Sequence, residues 1–256
     1  SNRITVGGQY WDAELVDGLL PNDTHNQKMW SLFAEDEWSI IDNVTATLGA
    51  RYDDHDAFGG NVSPRAYVVW NANEQLTVKG GVSQGFKTPR LNQLIDGVSG
   101  IGGQGTSISI GNPNLEPEVS TSTELGFLFD NLRGVSGSMT VFHNKIEDKI
   151  SSGGDCTVDF ISSCTANPAA TYSINVDEAK TWGAEVSGRF PLIEDALALH
   201  ANYTWTDSEV KEQGMKSGKL SNTPEHMANV ALRWTINEIA SAWVSGKYHG
   251  DSRRFN

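Results

Sequence analysis

Lys87 and Arg90 stand three positions apart, where an alternating apolar–polar run gives way to the longest polar stretch of the chain, and Asn92 and Gln93 follow. Two cations flanked by neutral donors suit recognition of an anion through charge-assisted hydrogen bonds, rather than bond-making chemistry. The competing reading is structural: Lys87 and Arg90 pair with Glu116 or Glu118 and fix the base of the loop. Cys156 and Cys164 lie eight apart in a polar stretch. That spacing suits a small loop disulfide in an oxidising compartment better than zinc, which usually needs four ligands. Reduction of such a bridge is expected to loosen segment 150–173 alone.

Other patterns carry less. Gly100-Ile101-Gly102-Gly103-Gln104-Gly105 formally matches G-x-G-x-x-G, but no βαβ unit surrounds it, so it reads as a surface loop. Asp53-Asp54-His55-Asp56 reads as a solvated acidic loop before it reads as a cation site. His143, His200, His226 and His249 fall one per strand with no H-E-x-x-H motif, and no G-x-S-x-G or Ser/His/Asp set is present. The expectation is therefore no catalytic residue, no resident metal, no cofactor and no enzyme. Lys211, Lys216 and Lys219 form a diffuse basic group read as solvated. A net charge of −13 argues against nucleic acid, whose phosphates need clustered Lys and Arg.

The elements that position these residues are strands. Val44, Ala46, Leu48, Ala50 and Tyr52 alternate with Thr45, Thr47, Gly49 and Arg51. The same period of two runs through Leu76, Val78, Gly80, Val82 and Phe86, and through Trp182, Ala184, Val186, Gly188 and Phe190. Weaker versions begin at Ile4, Trp30, Val62, Val119, Val135, Leu197, Ala228 and Ala240. Together they make about eleven strands of about 9–13 residues, long against a norm of about 5–6. No segment shows a helical stripe, and no apolar run is long enough for a membrane-spanning helix.

Connections alternate in length. Short turns fall at Asp42-Asn43, Asn71 to Gln75, Asp130 to Gly134, Leu192 to Asp195 and Asn237-Glu238; the long polar segments are 13–27, 53–60, 87–117, 150–173 and 206–222. Aromatics mark both ends of the apolar face. Trp38, Trp70, Phe129, Phe190 and Trp234 lie near the short turns, and Tyr10, Trp30, Tyr52, Phe86, Trp205 and Tyr248 near the long loops. About 8–10 residues separate the two belts, roughly 20–25 Å for a tilted strand, which is the height of a bilayer's apolar band. Arg51, Arg65, Lys79, Glu185 and Arg189 occupy the opposite face and suit a wet lumen. The fold class is all-β: an antiparallel transmembrane β-barrel wall with short periplasmic turns and long extracellular loops.

The run Gly81-Val82-Ser83-Gln84-Gly85-Phe86-Lys87-Thr88-Pro89-Arg90-Leu91 resembles the G-x-x-x-G-F-K-x-P-x-L element of TonB-dependent outer-membrane receptors. Gly111-Asn112-Pro113-Asn114-Leu115-Glu116-Pro117-Glu118 resembles their G-N-P-x-L-x-P-E element, and further matches extend over essentially the whole chain. The Gly-rich segment from Val98 to Thr106 and the paired loop cysteines look most like the ferric-catecholate and colicin I receptor branch.

The resemblance implies energy-coupled uptake at the Gram-negative outer membrane, in a barrel of about 22 strands with a plugged lumen. The cargo would be a ferric siderophore, catecholate in type, with iron entering only as part of that ligand. A hydroxamate siderophore, haem or cobalamin is the alternative within the family; a passive porin or a secreted adhesin lies outside it. Implied partners are the TonB complex, lipid and lipopolysaccharide, and colicins or phages docking on the same loops. Lys87, Arg90 and Gln93 are then the expected ligand-binding residues. About eleven strands with no plug, no TonB box and no closing strands lead to the expectation that residues 1–256 are an internal part of a larger receptor.

Overall fold

The computed structural model describes residues 1–18, 24–212, 215–220 and 223–251. In chain order the strands are β1 (Asn2–Val16), β2 (Thr24–Ile41), β3 (Val44–His55), β4 (Gly59–Asn71), β5 (Leu76–Lys87), β6 (Val98–Gly102), β7 (Ser107–Ile110), β8 (Glu118–Asp130) and β9 (Ser136–Asp155). The single α-turn α1 (Ser162–Ala166) follows, then β10 (Thr171–Ile193), β11 (Leu197–Glu212), β12 (Met215–Gly218), β13 (His226–Thr235) and β14 (Ser241–His249). Eleven of the strands form one antiparallel meander, β1-β2-β3-β4-β5-β8-β9-β10-β11-β13-β14, with β1 and β14 at its edges. The small strands β6, β7 and β12 belong to the long loops.

Residues paired across a ladder share a face, so the register tests the reading of the two faces. Trp38 pairs with Ala46, Trp70 with Val44, Phe129 with Leu76 and Trp234 with Leu197. At the other end Tyr10 pairs with Trp30, Leu32 with Tyr52, and Ala228 with Tyr248. Both aromatic belts therefore lie on one face, with Val68, Val82, Leu125 and Val186 exposed between them. A single sheet has no second layer to cover that face, and an apolar band of this extent is stable only against a non-aqueous medium.

Three of the five short turns are tied by an Asx side chain, which is why Asn and Asp recur there. Asn73 Oδ1 accepts from the N–H groups of Gln75 and Leu76 at 2.8 and 2.9 Å. Asn131 Oδ1 accepts from Arg133 and Val135, and Asn237 Oδ1 from Ile239 and Ala240.

The strands run past the belts by more than the alternation indicates. β9 has 20 residues and β10 has 23. The expected long loop 53–60 is a tight hairpin in which His55 pairs directly with Gly59. Beyond the apolar band both faces meet polar surroundings, so the apolar alternation fades while backbone pairing continues.

Candidate functional site

The long loops do not hang separately from the wall. β7 pairs in parallel with the start of β10, Ser109 with Thr171 and Ile110 with Tyr172. This brings Ile110 into a buried cluster with Cys156, Ile161, Cys164 and Ala170. Cys156 and Cys164 are disulfide-bonded at the centre of that cluster. Segments 88–117 and 156–170 thus form one cap with a core of its own.

Polar side chains fasten the cap to the wall. Asn175 on β10 donates through Nδ2 to the carbonyls of Glu116 (2.9 Å) and Asp148 (2.6 Å), and its Oδ1 accepts from the Glu116 N–H at 2.9 Å. Buried Asn112 donates to the Ser173 carbonyl at 2.9 Å. Asp96, from the first loop, accepts the N–H groups of Ser162 and Ser163 at 2.7 and 2.8 Å and so caps the first turn of α1 in the second loop.

Burial would raise the Asp96 pKa, but the donors from Ser163 and Ser162 outweigh it and hold the carboxyl below its ordinary value. A depressed carboxylate stabilises above its unfolded pKa, and that contribution is lost as pH falls through the folded value. The protection factors of the α1 amides, corrected for intrinsic exchange, should therefore hold steady down to the ordinary carboxylate range and fall below it. Asp96→Ala should abolish the step and speed exchange about fivefold at neutral pH, since loss of a capping carboxylate costs about 1 kcal/mol. An unchanged acid profile in the variant would sink this assignment.

The residues expected to bind an anion are placed as follows. Lys87 Nζ lies 2.9 Å from Glu118 Oε2, and the other Glu118 oxygen accepts the Ile150 N–H at 2.8 Å. This is the loop-base pairing that the sequence left open. Gln93 Oε1 accepts the Arg90 N–H at 3.0 Å and tightens the short 3-10 turn Leu91–Gln93. Arg90 is exposed, and its guanidinium has no side-chain partner among the described residues. The turn presents a free cation on a fixed backbone.

That turn folds inward across the polar face. Pro89 is fully buried, its carbonyl accepts from buried Gln27 of β2 at 3.5 Å, and β2 lies three strands from β5, where the loop begins. Below it Arg51 donates to Asp53 (2.8 Å), Ser31 (2.7 Å) and Gln9 (3.0 Å), and Ser31 donates to Asp53 at 2.6 Å. A cavity of about 520 Å³ lies beneath Lys87 and Thr88, lined in part by Met29, Phe33, Arg51 and Arg65. The sequence placed Arg51 and Arg65 on this face but missed Gln27, Ser31 and the structural use of Asp53. Strand parity was the available signal.

The acidic run at 53–56 is split between faces: Asp53 joins the Arg51 network, Asp54 accepts from Trp30 Nε1 at 2.9 Å, and Asp56 accepts from the Lys28 N–H at 2.9 Å. His55 is buried against Phe58, and burial lowers its pKa against the opposing pull of Asp56 and Asp54.

Of the basic group at 206–222, Lys211 and Lys219 are paired rather than simply solvated. Glu178 is contacted by Lys180 (2.7 Å), Lys211 (3.0 Å) and Lys145 (3.2 Å). Hydrogen bonds from Lys180 and Lys211, chiefly, pull its carboxyl down to about 2. Lys219 pairs with Asp207 at 2.7 Å, and the Lys216 side chain lies outside the described residues.

Residues 2–256 match the family described as TonB dependent receptor-like, beta-barrel. The chain is 36% identical over 237 residues to the iron-regulated outer membrane virulence protein of Vibrio cholerae, covering 90% of this chain and 35% of that protein. It is 31% identical over 279 residues to the ferric enterobactin receptor of Pseudomonas aeruginosa, covering 98% and 37%. The chain thus spans about a third of the length of the curated relatives it matches. Its fold superimposes on the crystal structure of the siderophore receptor PirA from Pseudomonas aeruginosa with a TM-score of 0.77 at 24% identity, covering 97% of this chain and 42% of that one.

Proposed function

The chain belongs to the TonB-dependent receptor β-barrel family, and from that membership we propose that it forms part of the wall of an outer-membrane receptor for a ferric siderophore of the catecholate type. The observation that carries this reading to a site is Arg90, an unpaired guanidinium held over the polar face by a backbone that Gln93, Gln27 and the Lys87–Glu118 pair fix in place. Ferric tris-catecholates are anionic, and the chain is acidic overall, so attraction must come from local cations. Lys87, which lines the cavity below the turn, and Gln93, which holds the turn, belong to the proposed contact set.

In this reading TonB, energised across the inner membrane, drives release of cargo docked at the loop end. The protein acts by binding and transport, with iron as part of the cargo. Tryptophan-fluorescence titration of the full-length receptor in detergent with a ferric catecholate, a ferric hydroxamate and cobalamin tests the substrate class. Tight quenching by the catecholate alone supports it; binding of another member of the panel moves the substrate within the family. Arg90→Glu should weaken uptake at limiting ligand by about tenfold to a hundredfold, the range expected for hydrogen bonds to a charged group. Unchanged uptake would return Arg90 to a structural role.

A further inference from the structure

The hairpin that joins β3 to β4 is closed by a buried histidine. His55 pairs with Gly59 across the hairpin and with Met29 on β2, and its side chain is fully enclosed. Its Nδ1 accepts the Ala57 N–H at 3.0 Å, the Phe58 N–H donates to its carbonyl at 3.2 Å, and the Phe58 ring packs 5.0 Å from the imidazole. With Nδ1 used as an acceptor, the neutral ring carries its proton on Nε2. Nε2 is buried with no hydrogen-bond partner among the described residues.

Asp56, next along the hairpin, fastens it to β2. Its N–H donates to the Lys28 carbonyl at 3.0 Å, and its Oδ2 accepts the Lys28 N–H at 2.9 Å. The β2–β3 ladder stops one step earlier, at Met29 and His55, so these two bonds extend it. They hold the stretch of β2 that carries Gln27, whose side chain donates to the Pro89 carbonyl. One chain of contacts thus runs from the imidazole to the turn that presents Arg90.

A second proton can enter the ring only at Nδ1. It turns that nitrogen from acceptor to donor, so the Ala57 N–H loses its partner and Asp56 Oδ1, 3.2 Å away, becomes the acceptor. The enclosed ring then carries a charge while its Nε2–H stays unanswered, which favours a hairpin open to water. Asp56 and Asp54 favour the charged ring, although Asp54 is engaged by Trp30 Nε1 on the other face. Asp53 is taken up by Arg51 and Ser31, and the Lys28 ammonium lies 3.6 Å from Asp12. Across the hairpin β4 brings only uncharged Gly59, Gly60 and Asn61. Lys87 is paired with Glu118, and Arg90 on the turn adds a further cation. Burial outweighs the two aspartates and holds the His55 pKa below its ordinary 6.5.

We infer that His55 is a pH-sensitive latch on the ligand mouth: neutral, it closes the hairpin and braces the Pro89 turn; protonated, it opens the hairpin and frees the turn that carries Arg90. A histidine whose pKa falls on folding stabilises the closed form fully above the unfolded value. That stabilisation is lost as pH drops from about 6.5 through the lower folded value. The mouth is therefore braced at neutral pH and loosened by mild acid, above the range in which Asp96 titrates. Only the effect on ligand affinity rests on the catecholate reading; the opening of the hairpin does not.

Hydrogen–deuterium exchange of the full-length receptor in detergent, without ligand and corrected for intrinsic exchange, reads the latch directly. Protection in 55–60 and in 88–93 should fall together by about threefold to tenfold between about pH 7.5 and pH 5, the range expected for one lost hydrogen bond. Strands between the belts should stay level. His55→Asn keeps an acceptor for the Ala57 N–H but cannot titrate, so the step should be absent from it. Titration of both proteins with a ferric tris-catecholate at each pH divides out protonation of the ligand itself. Wild-type affinity should fall about threefold to tenfold relative to the variant across the same range. If His55→Asn does not fold, the wild-type exchange profile decides alone. Level wild-type protection, or a fall in 55–60 with 88–93 unchanged, overturns the inference. So does a step that persists in His55→Asn, or a relative affinity that stays level while protection falls. A coupled fall in protection with no catecholate binding at any pH leaves the latch standing and overturns the substrate class.

Discussion

Replacing Cys156 and Cys164 with serine should loosen both long loops together and leave the wall intact. The bridge closes a ring of nine residues, and opening such a ring releases about 2–3 kcal/mol of chain entropy in the unfolded segment. Amide exchange in the cap should rise on the order of a hundredfold, at about 1.4 kcal/mol per factor of ten. Spacing alone confines that effect to 150–173. The fold carries it further, because Ile110 of the first loop packs fully buried against the cystine, β7 pairs with β10, and Asp96 caps α1. Amides in β6 and β7 should therefore accelerate with those of α1. The wall strands are held by their own ladders and should not change. Hydrogen–deuterium exchange resolved by segment checks this. Acceleration confined to 156–164 would mean the loops are independent, and acceleration throughout the wall would mean the cap supports the sheet.

The contrast between wall and cap also explains what the sequence disclosed. A strand between the belts must present apolar residues to lipid at every second position, so Val44 to Tyr52 and Trp182 to Phe190 announce themselves in a single sequence. Their pairing order follows because short turns leave consecutive strands no choice but to lie side by side. Above the outer belt that constraint ends. The extension of β10 from Thr171 does alternate, through Tyr172, Ile174 and Val176, but these side chains lie beneath the cap, where Tyr172 packs against the cystine cluster and Val176 is buried, and the run is too short and too interrupted by polar residues to stand out from a loop. The cap depends on contacts between distant residues, such as Asp96 with Ser163 and Asn112 with Ser173, and nothing local encodes such pairs. The same holds for the mouth. Lys87 and Arg90 were visible as cations, but only the fold distinguishes the one paired with Glu118 from the one left free.

Gly183→Val should prevent the wall from assembling. Gly183 lies mid-strand in β10, between Phe142 of β9 and Thr206 of β11 in register. A Cβ there would collide with the Trp205 carbonyl oxygen, and would meet Phe142 Cζ at 2.9 Å and Thr206 Cα at 3.1 Å. The phenyl ring can rotate, but the carbonyl and the Cα belong to a hydrogen-bonded ladder and move only if β10 and β11 part. Overpacking a yielding site costs about 1–3 kcal/mol, and a backbone obstacle puts this one at or above that range. Separation of these strands also undermines the cap, since β10 carries both Thr171, which pairs with β7, and Asn175, which holds Glu116. Gly49 is the matched comparison on β3, where an added Cβ meets the Ala34 carbonyl oxygen at 3.3 Å and Glu35 Cβ at 3.4 Å. Gly49→Ala needs a shift of only a few tenths of an ångström and should change stability by less than about 1 kcal/mol, within the ordinary range for a tolerated substitution. Heat-modifiable migration on gels reads out the folded barrel in membranes from cells expressing the full-length receptor. Gly183→Val should yield no folded band while Gly49→Ala matches wild type, and a folded Gly183→Val receptor melting with the wild type would show that the ladder between β10 and β11 yields where this register says it cannot.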